Sequence, residues 1–380
     1  MRVLHLYPGN LFGGVETFLL FVARRGDLAK QCEHHFALCF DGRLAEGIQS
    51  AGAPLELFGS MRTSQPWTVL RGRQRLRELL RRTHFDVAIT HGSWAHAMFA
   101  PVLERAKIPY VYYLHGPISG VTWLDRWARL TTPSAMIGVS RDTLRTGRLL
   151  FPRVPAEVLN YPIPASFEAR DDERAAVRAE QGVAADEVVL LQASRADRWK
   201  GHDRLLEALG QLGAVPGWTC WMAGGAQRPQ ERVYLAELEA QVARLGLGKH
   251  VRFLGERRDV PRLLAGADIY CQANTGSEGF SLAFMEAFAS GRPIVTTRLG
   301  GAPELIDDST GVLVTPGDTA GFAAALRRLI EDPALRRAMG EKARKRVFEL
   351  CDPAARLGDL ERILGDVQAR AGHTPARAAG

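Results

Sequence analysis

Short apolar runs alternate with amphipathic helical patterns along nearly the whole chain. In its first part, six runs are rich in β-branched and aromatic residues, as strands usually are. These runs are RVLHLYP, HHFALCF, PLELFG, DVAITHG, YVYYLHG and AMIGVS. Helical patterns such as VETFLLFVARR lie between them. Alternation of this kind is typical of parallel, doubly wound sheets, so the pattern predicts an α/β fold.

A second series of strand-like runs follows a break in the pattern. The break consists of VLNYPIPAS, with two prolines, and the charged segment EARDDERAAVRAEQG. The later runs are EVVLLQAS, WTCWMAG, VRFLGE, ADIYCQAN, PIVTT and GVLVT. Because 380 residues usually form more than one core, we predict two Rossmann-like domains that face each other across a cleft. The predicted segments are the domains 1–165 and 166–351, a terminal helix over 352–372 and a disordered tail over 373–380.

Composition limits the function less than the pattern does. The formal charge of +7 and the pI near 9.4 suit an anionic partner, which could be a nucleotide, a nucleic acid or an acidic membrane. The five cysteines form no C-x-x-C pair, and several lie in strand-like runs, so we expect reduced, buried thiols in a cytoplasmic protein. The first apolar stretch ends at Pro8, too soon for a secretory signal, and no run is long enough to span a membrane.

The segment NTGSEGFSLAFMEAFASG, residues 274–291, follows a predicted strand and contains a helix that Ser281 opens and Gly291 ends. This helix is apolar except at Glu286. An unpaired carboxylate is costly in apolar surroundings, so we expect Glu286 to have a partner. A carboxylate there can accept two hydrogen bonds from the vicinal diol of a ribose. The alternative is a structural ion pair.

The loop before this helix offers further ligands for a sugar nucleotide. Glu278 can accept hydrogen bonds from hydroxyls of a sugar attached to a diphosphate, although it could equally be a solvated loop residue. The free N–H groups of Phe280, Ser281 and Leu282 can hold phosphate oxygens.

Two cations lie in SRADRWKGH, residues 194–202, between a predicted strand and a predicted helix. Arg195 and Lys200 match the charge of a diphosphate and would stabilise it as a leaving group. Taken alone they could be solvated surface residues. The chain has no D-x-D pair, so we expect no bound metal and assign its role to these two cations.

The first domain contains a glycine-rich turn and two histidines at predicted strand ends. GNLFGGVE, residues 9–16, lets backbone approach a ligand, or is a tight turn without one. It is not G-x-G-x-x-G, so a dinucleotide site is disfavoured. His91 and His115 each precede a glycine at a strand end, where either could contact a sugar, move a proton or serve only as a structural hydrogen-bonding group.

These segments together resemble the retaining nucleotide-sugar glycosyltransferases of the GT-B fold, family four, also called group 1. The matching pieces are GGVE, LHG, SRADRWKG, WMAGG, VRFLGERRDV, EGFSLAFME, AFASGRPIV and GGAPELI. They cover nearly the whole chain. The E-x7-E element in EGFSLAFME is the most specific of them. Many members have Gly or Pro where this chain has Ser281, which still supplies an N–H group.

The resemblance implies a role for each matching residue. Glu286 would bind the donor ribose, Glu278 the transferred sugar, and Arg257 would lie beside the nucleobase. His115 would lie near the reacting carbon, and the terminal helix would return to the first domain. The residues implied to bind the donor are Gly13, Gly14, Arg195, Lys200, Gly224, Arg257, Glu278, Gly279, Phe280, Ser281, Leu282 and Glu286. The family transfers with retention by a front-face displacement, while a covalent route through Glu278 stays open.

The sequence is compatible with several acceptors and with other functions. The acceptor could be a glycan, a lipid-linked sugar or a small molecule, and Trp123 is a candidate contact for it. The segment RGRQRLRELLRR, residues 71–82, has six arginines and would suit anionic lipid at the inner face of a membrane, or be a solvated outer helix. A GT-B epimerase or phosphorylase is one alternative function, and a noncatalytic nucleotide-binding or nucleic-acid-binding protein is another. No nucleic-acid motif stands out, so we expect no such partner.

Overall fold

The computed structural model describes residues 1–10, 13–28, 30–163, 167, 171–226 and 228–372. The chain divides into two compact units. The first unit is Met1–Pro162 with Pro353–Gly380, and the second unit is Ile163–Asp352. The first unit's longer segment thus ends at Pro162, three residues before the predicted boundary. The predicted tail, 373–380, lies outside the described residues.

The first unit is built on a parallel sheet of seven strands in the order β3-β2-β1-β4-β5-β6-β7. The strands are β1 Arg2–Tyr7, β2 Glu33–Leu38, β3 Leu55–Leu57, β4 Val87–His91, β5 Tyr110–Leu114, β6 Ala135–Gly138 and β7 Ala156–Val158. The helices are α1 Gly14–Arg24, α2 Arg43–Ser50, α3 Pro66–Arg82, α4 Gly92–Arg105, α5 Trp123–Ala128, α6 Arg141–Gly147 and α15 Pro353–Gly372. Every residue of β4 and β5 is buried, as expected for strands covered on both faces.

The second unit has a parallel sheet of six strands in the order β10-β9-β8-β11-β12-β13. The strands are β8 Val188–Ala193, β9 Trp218–Ala223, β10 Val251–Gly255, β11 Ile269–Gln272, β12 Ile294–Thr297 and β13 Gly311–Val314. The helices are α7 Arg174–Glu180, α8 His202–Gly210, α9 Pro229–Arg244, α10 Val260–Gly266, α11 Leu282–Ala289, α12 Ala302–Leu305, α13 Thr319–Glu331 and α14 Pro333–Leu350. The doubly wound α/β prediction is confirmed for both sheets.

The twelve predicted strands all form, and one further strand was missed. β7 has three half-buried residues, Ala156–Val158, at the edge of the first sheet, where it pairs with β6. Its last residue, Val158, is the first residue of the proline-rich segment that we interpreted as a break. A strand this short and half exposed has no apolar run by which sequence could identify it.

The helix after β11 follows its predicted bounds but not its predicted cap. Ser281 is the N-cap residue by position, yet its hydroxyl accepts no capping hydrogen bond. Gly291 lies just beyond the end of the helix with φ of +67°, a conformation that favours glycine.

The terminal helix α15 belongs to the first unit. Its apolar stripe is buried and consists of Leu357, Leu360, Ile363, Leu364 and Val367. Polar contacts fix it to the sheet, since Arg362 pairs with Glu157 at 2.6 Å and the Gln368 amide donates to Asp86 at 2.9 Å. Apolar burial therefore holds this helix, and a few surface contacts orient it.

All five cysteines are buried and free of disulfides. Within the part of the chain that the structure describes, no helix combines the length and the apolar character needed to cross a membrane.

Candidate functional site

Two loops of the second unit are joined at the carboxyl ends of β8 and β11. The Trp199 carbonyl accepts hydrogen bonds from the N–H of Thr275 at 2.9 Å and of Gly276 at 3.3 Å. Gly201 has φ of +66°, and a Cβ on it would lie 1.7 Å from the Ala273 carbonyl oxygen. Only glycine fits this approach, so the two predicted ligand segments form one continuous surface.

Glu278 lies at this junction, with its carboxylate bound by a cation and two amides. Its Oε1 is 2.7 Å from Lys200 Nζ. Its Oε2 accepts from the amides of Gln272 and Asn274, both at 3.4 Å. The side chains of Lys200 and Glu278 are only 13% and 21% exposed, so Glu278 is not the solvated loop residue of the alternative interpretation.

The turn after β12 holds the backbone of Glu278. The Gly301 N–H donates to the Glu278 carbonyl at 2.9 Å. Gly300 has φ of +58°, and a Cβ on it would lie 2.0 Å from the same carbonyl oxygen. The position of Glu278 is therefore set by three strand ends, those of β8, β11 and β12.

Arg195 is likewise tied to carboxylates. Its guanidinium donates to Asp197 at 2.8 Å and to Glu231 at 3.2 Å, and the Glu231 side chain is 1% exposed. Gly224, with φ of +148°, packs against this loop, since a Cβ on it would lie 1.8 Å from the Ser194 carbonyl oxygen. Arg195 is thus held in position by two carboxylates, although 33% of its side chain is exposed.

Glu286 differs from the other acidic groups of the site. It lies half-buried on α11, and no hydrogen-bond or ion-pair partner of its carboxyl group lies within the described ranges. Burial raises the pKa of Glu286 to about 8. The structural ion pair of the alternative interpretation is therefore not found among the described residues. A desolvated carboxyl group without a partner is available to hydroxyl groups of a ligand.

Arg257 follows β10 and is held by two acidic residues. Its guanidinium donates to Asp259 at 2.6 and 2.8 Å and lies 3.6 Å from Glu180. The hydrogen bond from Arg257 lowers the pKa of Asp259. Arg257 is partly exposed, with 22% of its side chain accessible, so its plane can stack on a flat ligand.

The start of α11 adds backbone donors beside Glu278. Gly279 and Phe280 are buried in the loop, Ser281 is the N-cap and Leu282 is the first helical residue. The first N–H groups of a helix have no partner within it and carry the positive end of its dipole. An anion bound here would lie next to Lys200.

The first unit contains its own chain of hydrogen-bonded rings, which includes the buried His91 and the partly exposed His115. His91 Nδ1 is 2.8 Å from His115 Nε2, and His115 Nδ1 is 2.6 Å from the Tyr161 hydroxyl. His91 Nε2 is 2.9 Å from His5 Nδ1, and His5 Nε2 is 2.9 Å from His34 Nδ1. His91 is 2% exposed with both nitrogens occupied, so the acceptor contact predicted for it does not fit the structure. Burial lowers the pKa of His115 to about 3.

The glycine turn of the first unit is held by a carboxylate. The N–H of Gly13 donates to Glu16 Oε2 at 2.9 Å, and the Tyr7 hydroxyl donates to Glu16 Oε1 at 2.6 Å. Gly14 is the first residue of α1. Elsewhere in this unit, Trp123 opens α5 and is 58% exposed.

Sequence reasoning missed the residues that hold the predicted donor-binding and catalytic residues in place. In the second unit these are Asp197, Glu231, Gln272 and Asn274, and in the first unit His5, His34, Glu16 and Tyr161. One signal was present twice, because Glu231 and Glu16 each occupy the third position of a helix, where a carboxylate caps the helix. Asp197, Gln272 and Asn274 lie within six residues of the side chains that they hold, so they too are local partners. The contacts of His5, His34 and Tyr161 depend on strand order, which the pattern of apolar residues does not specify.

Family models match both halves of the chain. The model described as Glycosyl transferases group 1 matches residues 173–346, and the model described as Glycosyltransferase Family 4 matches residues 12–161. The chain is a group 1 glycosyltransferase.

Curated relatives of this glycosyltransferase are transferases as well. It is 29% identical over 300 residues to N-acetyl-alpha-D-glucosaminyl L-malate synthase of Bacillus anthracis, covering 77% of this chain and 76% of that protein. It is 32% identical over 188 residues to the GDP-mannose-dependent alpha-(1-6)-phosphatidylinositol monomannoside mannosyltransferase of Mycolicibacterium smegmatis. That second alignment spans 47% of each protein, so it covers about half of the relative's length.

Solved structures place the glycosyltransferase in the GT-B fold. Anabaena Alr3699/HepE in complex with UDP is similar with a TM-score of 0.84 and 26% identity, over 96% of this chain and all of that one. The same protein has also been solved with UDP-glucose.

Proposed function

We propose that this glycosyltransferase moves a sugar from a nucleoside-diphosphate sugar to a hydroxyl acceptor, with the second unit binding the donor. The pair formed by Lys200 and Glu278 carries the proposal, since it lies where two strand-end loops meet at the start of α11. A cation, helix N–H groups and a carboxylate at one point match a diphosphate joined to a sugar.

The diphosphate would bind by exchange of charge partners. Lys200 and Arg195 are both paired with carboxylates in the free protein, so an incoming phosphate replaces Glu278 at Lys200 and competes with Asp197 at Arg195. Glu278 is then available for hydroxyls of the transferred sugar. The N–H groups of Gly279, Phe280, Ser281 and Leu282 supply the remaining phosphate contacts in this proposal.

The nucleoside would bind through two further side chains. The carboxyl group of Glu286, which has no partner within the described residues, suits the ribose diol. Arg257 suits one face of the base. Gly224 acts indirectly, by letting the Arg195 loop pack closely. UDP and UDP-glucose are bound by the similar Anabaena protein, which favours a uridine nucleotide among the candidates.

The resemblance to the family assigns Gly13 and Gly14 to the phosphate and His115 to the reacting carbon. We propose the same roles here, with Trp123 as a contact of the acceptor. The bond from the anomeric carbon to the phosphate oxygen breaks while the acceptor oxygen adds on the same face, and the acceptor proton passes to the leaving phosphate. Retention follows from that geometry, and Lys200 with Arg195 replaces a metal ion.

The proposed acceptor is a glycan or a lipid-linked sugar. The Mycolicibacterium relative is named for a phosphatidylinositol mannoside acceptor.

Trp67 and Leu70 on α3 are 60% and 62% exposed, close in sequence to the exposed Arg71, so this helix suits a membrane surface. Binding to anionic vesicles that Trp67→Ser weakens would support this contact, and equal sedimentation of both proteins would exclude it.

Thermal unfolding in EDTA with UDP, GDP, ADP or CMP tests donor binding. A nucleotide at a hundred times its dissociation constant stabilises the protein by about 2.7 kcal/mol. We expect one nucleoside diphosphate to raise the midpoint for the wild type and not for Lys200→Ala. Lys249→Ala, a change at an exposed lysine of the same unit, should respond like the wild type. No shift with any nucleotide would contradict the donor proposal.

Transfer assays then separate the two glutamates. Glu286→Ala should weaken nucleotide binding, whereas Glu278→Ala should lower transfer more than nucleotide affinity. Product NMR should show the donor's anomeric configuration, and activity should persist in EDTA. Equal nucleotide affinity of the wild type and Glu286→Ala would refute the ribose contact, and complete loss of transfer in EDTA would refute the metal-free reaction.

A further inference from the structure

Four histidines of the first unit form one continuous hydrogen-bonded chain that ends at a tyrosine. It crosses four adjacent strands, from His34 on β2 through His5 on β1 and His91 at the end of β4 to His115 after β5, and then reaches Tyr161. The nitrogen-to-nitrogen distances are 2.8 to 2.9 Å. Each of the three inner links uses one Nδ1 and one Nε2.

The surroundings of this histidine chain keep its rings neutral. His5 stacks on Phe36 at a centroid distance of 4.9 Å, and His115 stacks on Tyr113 at 4.4 Å. Phe18 of α1 covers His115 at 6.0 Å. These rings shield the histidines from water, so His5, His34 and His91 are buried, while His115 is partly exposed. The pKa values of all four histidines are accordingly lowered, with burial as the largest cause.

Neutral rings in such a chain cannot choose their tautomers independently. A neutral imidazole donates from one nitrogen and accepts at the other, so every link must point the same way. Because each link joins Nδ1 of one ring to Nε2 of the next, the four rings are either all protonated at Nδ1 or all protonated at Nε2. One hydrogen-bond direction therefore sets four tautomers together.

The two ends of the histidine chain decide between these states. His34 Nε2 is buried and has no hydrogen-bond partner among the described residues. In the Nε2-protonated state, His34 Nε2 would be a buried N–H donor without an acceptor, which is rare in proteins. In the Nδ1-protonated state, the same nitrogen carries only an unused lone pair. At the opposite end, the Tyr161 oxygen accepts from His115 Nδ1 in the Nδ1-protonated state.

We propose that the histidine chain locks His115 as its Nδ1-protonated tautomer, with His34, His5 and His91 acting as positioning residues that never contact substrate. This role rests on the proposed function, which puts His115 beside the reacting carbon. The ring of His115 is held at both nitrogens, so its orientation is set before any ligand binds. A substrate can exchange a proton directly with a ring nitrogen of His115 only if one of these two bonds breaks.

NMR of the full-length protein labelled with ¹⁵N-histidine tests the tautomers directly, because protonated and bare ring nitrogens have widely separated ¹⁵N shifts. Single His→Gln variants assign the rings. At pH 7 the wild type should show all four as Nδ1–H. Any ring of the chain found as Nε2–H or as a cation in the wild type would overturn the proposal.

Two tyrosine variants provide the matched comparison. Tyr161→Phe removes the acceptor at the end of the histidine chain, so either state then leaves one buried donor unpaired, and both tautomers should appear in every ring, including His34. Tyr113→Phe removes a hydroxyl that donates to the Leu159 carbonyl at 3.2 Å, on a ring stacked on His115 but outside the chain. It should leave all four tautomers unchanged. A response to Tyr161→Phe confined to His115 would also contradict the coupling.

Measurements of kcat test whether the tautomer of His115 affects sugar transfer. Loss of one neutral hydrogen bond corresponds to roughly a two- to tenfold change, so Tyr161→Phe should lower kcat by that factor while the thermal shift with nucleotide stays as in the wild type. Tyr113→Phe should keep the wild-type kcat. An unchanged kcat for Tyr161→Phe despite mixed tautomers would refute the positioning role. Failure of the wild type to bind any nucleotide would instead refute the proposed function and leave the NMR result intact.

Discussion

The polar groups inside the two units are stabilised in opposite ways. In the first unit, four histidines are kept neutral and satisfy one another by hydrogen bonds across the sheet. In the second unit, cations are paired with carboxylates at the strand ends, as Arg195 is with Glu231. Hydrogen-bonded neutral rings need no counter-charge, and a charged ligand does not take the place of their hydrogen-bond partners. Ion pairs, in contrast, can exchange partners with one.

This difference predicts opposite responses to pH. A histidine with a lowered folded pKa stabilises the protein fully above its unfolded pKa, and that stability is lost as the pH falls. Glu286 has a raised folded pKa, so it retains a proton that the unfolded chain releases, and stability falls as the pH rises from about 4.5 towards 8. The first unit should therefore be sensitive to acid, whereas the α11 region of the second unit should lose stability as the pH rises from about 4.5 to about 8.

The largest expected effect is acid destabilisation of the first unit. For each histidine that stays neutral in the folded protein, the free energy of unfolding is about 2 kcal/mol lower at pH 5 than at pH 7. The reason is that the same histidine binds a proton in the unfolded chain below about pH 6.5. Hydrogen exchange should show faster opening of β1 and β4 at pH 5 than at pH 7 after correction for intrinsic rates. We expect little change in β8 and β11, because the stability gained at Glu286 offsets the stability lost at His202, whose pKa burial lowers to about 4.

Two histidine variants sharpen this test. His34→Gln should reduce the pH dependence of opening, because His34 is buried and its pKa is lowered to about 4. His84→Gln should not reduce it, since the His84 side chain is 82% exposed. Equal acid sensitivity of both sheets would remove the contrast between the units.

A smaller effect is expected when an ion pair of the second unit is broken. Glu231→Gln leaves Arg195 without its buried partner and weakens the start of α9, so it should cost about 3 kcal/mol in denaturant unfolding, the lower end for a broken buried pair. Glu237→Gln is the matched control. It breaks the exposed pair with Arg198 and should cost under about 1 kcal/mol. If the two variants lost similar amounts of unfolding free energy, burial would not strengthen the ion pair of Arg195.

The smallest expected effect is a proton released when nucleotide binds. If the ribose is held by ionised Glu286, a group with a pKa of about 8 gives up as much as one proton per nucleotide at pH 7. Calorimetry in buffers of different ionisation enthalpy measures this release. Glu286→Gln should abolish it, while Glu239→Gln, at an exposed position on α9, should not. Equal release by the wild type and Glu286→Gln would assign the proton to another group.

The fold was predictable because buried parallel strands have a strong local signal. Runs such as EVVLLQA and YVYYL are apolar on both faces, and twelve of them became strands of the two sheets. The donor segments were also recognisable, since Lys200 and Glu278 lie in loops directly after strands. β7 had no such run.

The partners of the site residues were not predictable in the same way. His5 looks like an ordinary inward residue between Leu4 and Leu6, and its contacts with His34 and His91 exist only because β1 lies between β2 and β4. Glu286 was expected to have a partner because its helix is apolar, and both a ribose diol and a structural ion pair were compatible with the sequence. Sequence shows that a charge is buried, but not whether the protein or a ligand neutralises it.

The burial of every native thiol makes this chain convenient for labelling. Burial raises the pKa of Cys32 to about 12, and the other four cysteines are equally inaccessible in the fold. Thiol reagents attack thiolates, so the folded protein should react slowly at neutral pH. A cysteine introduced on an exposed helix of each unit, for example at Arg81 and Glu239, would then accept a fluorophore or spin label in the otherwise unmodified protein. The distance between the two probes could be followed directly as nucleotide is added.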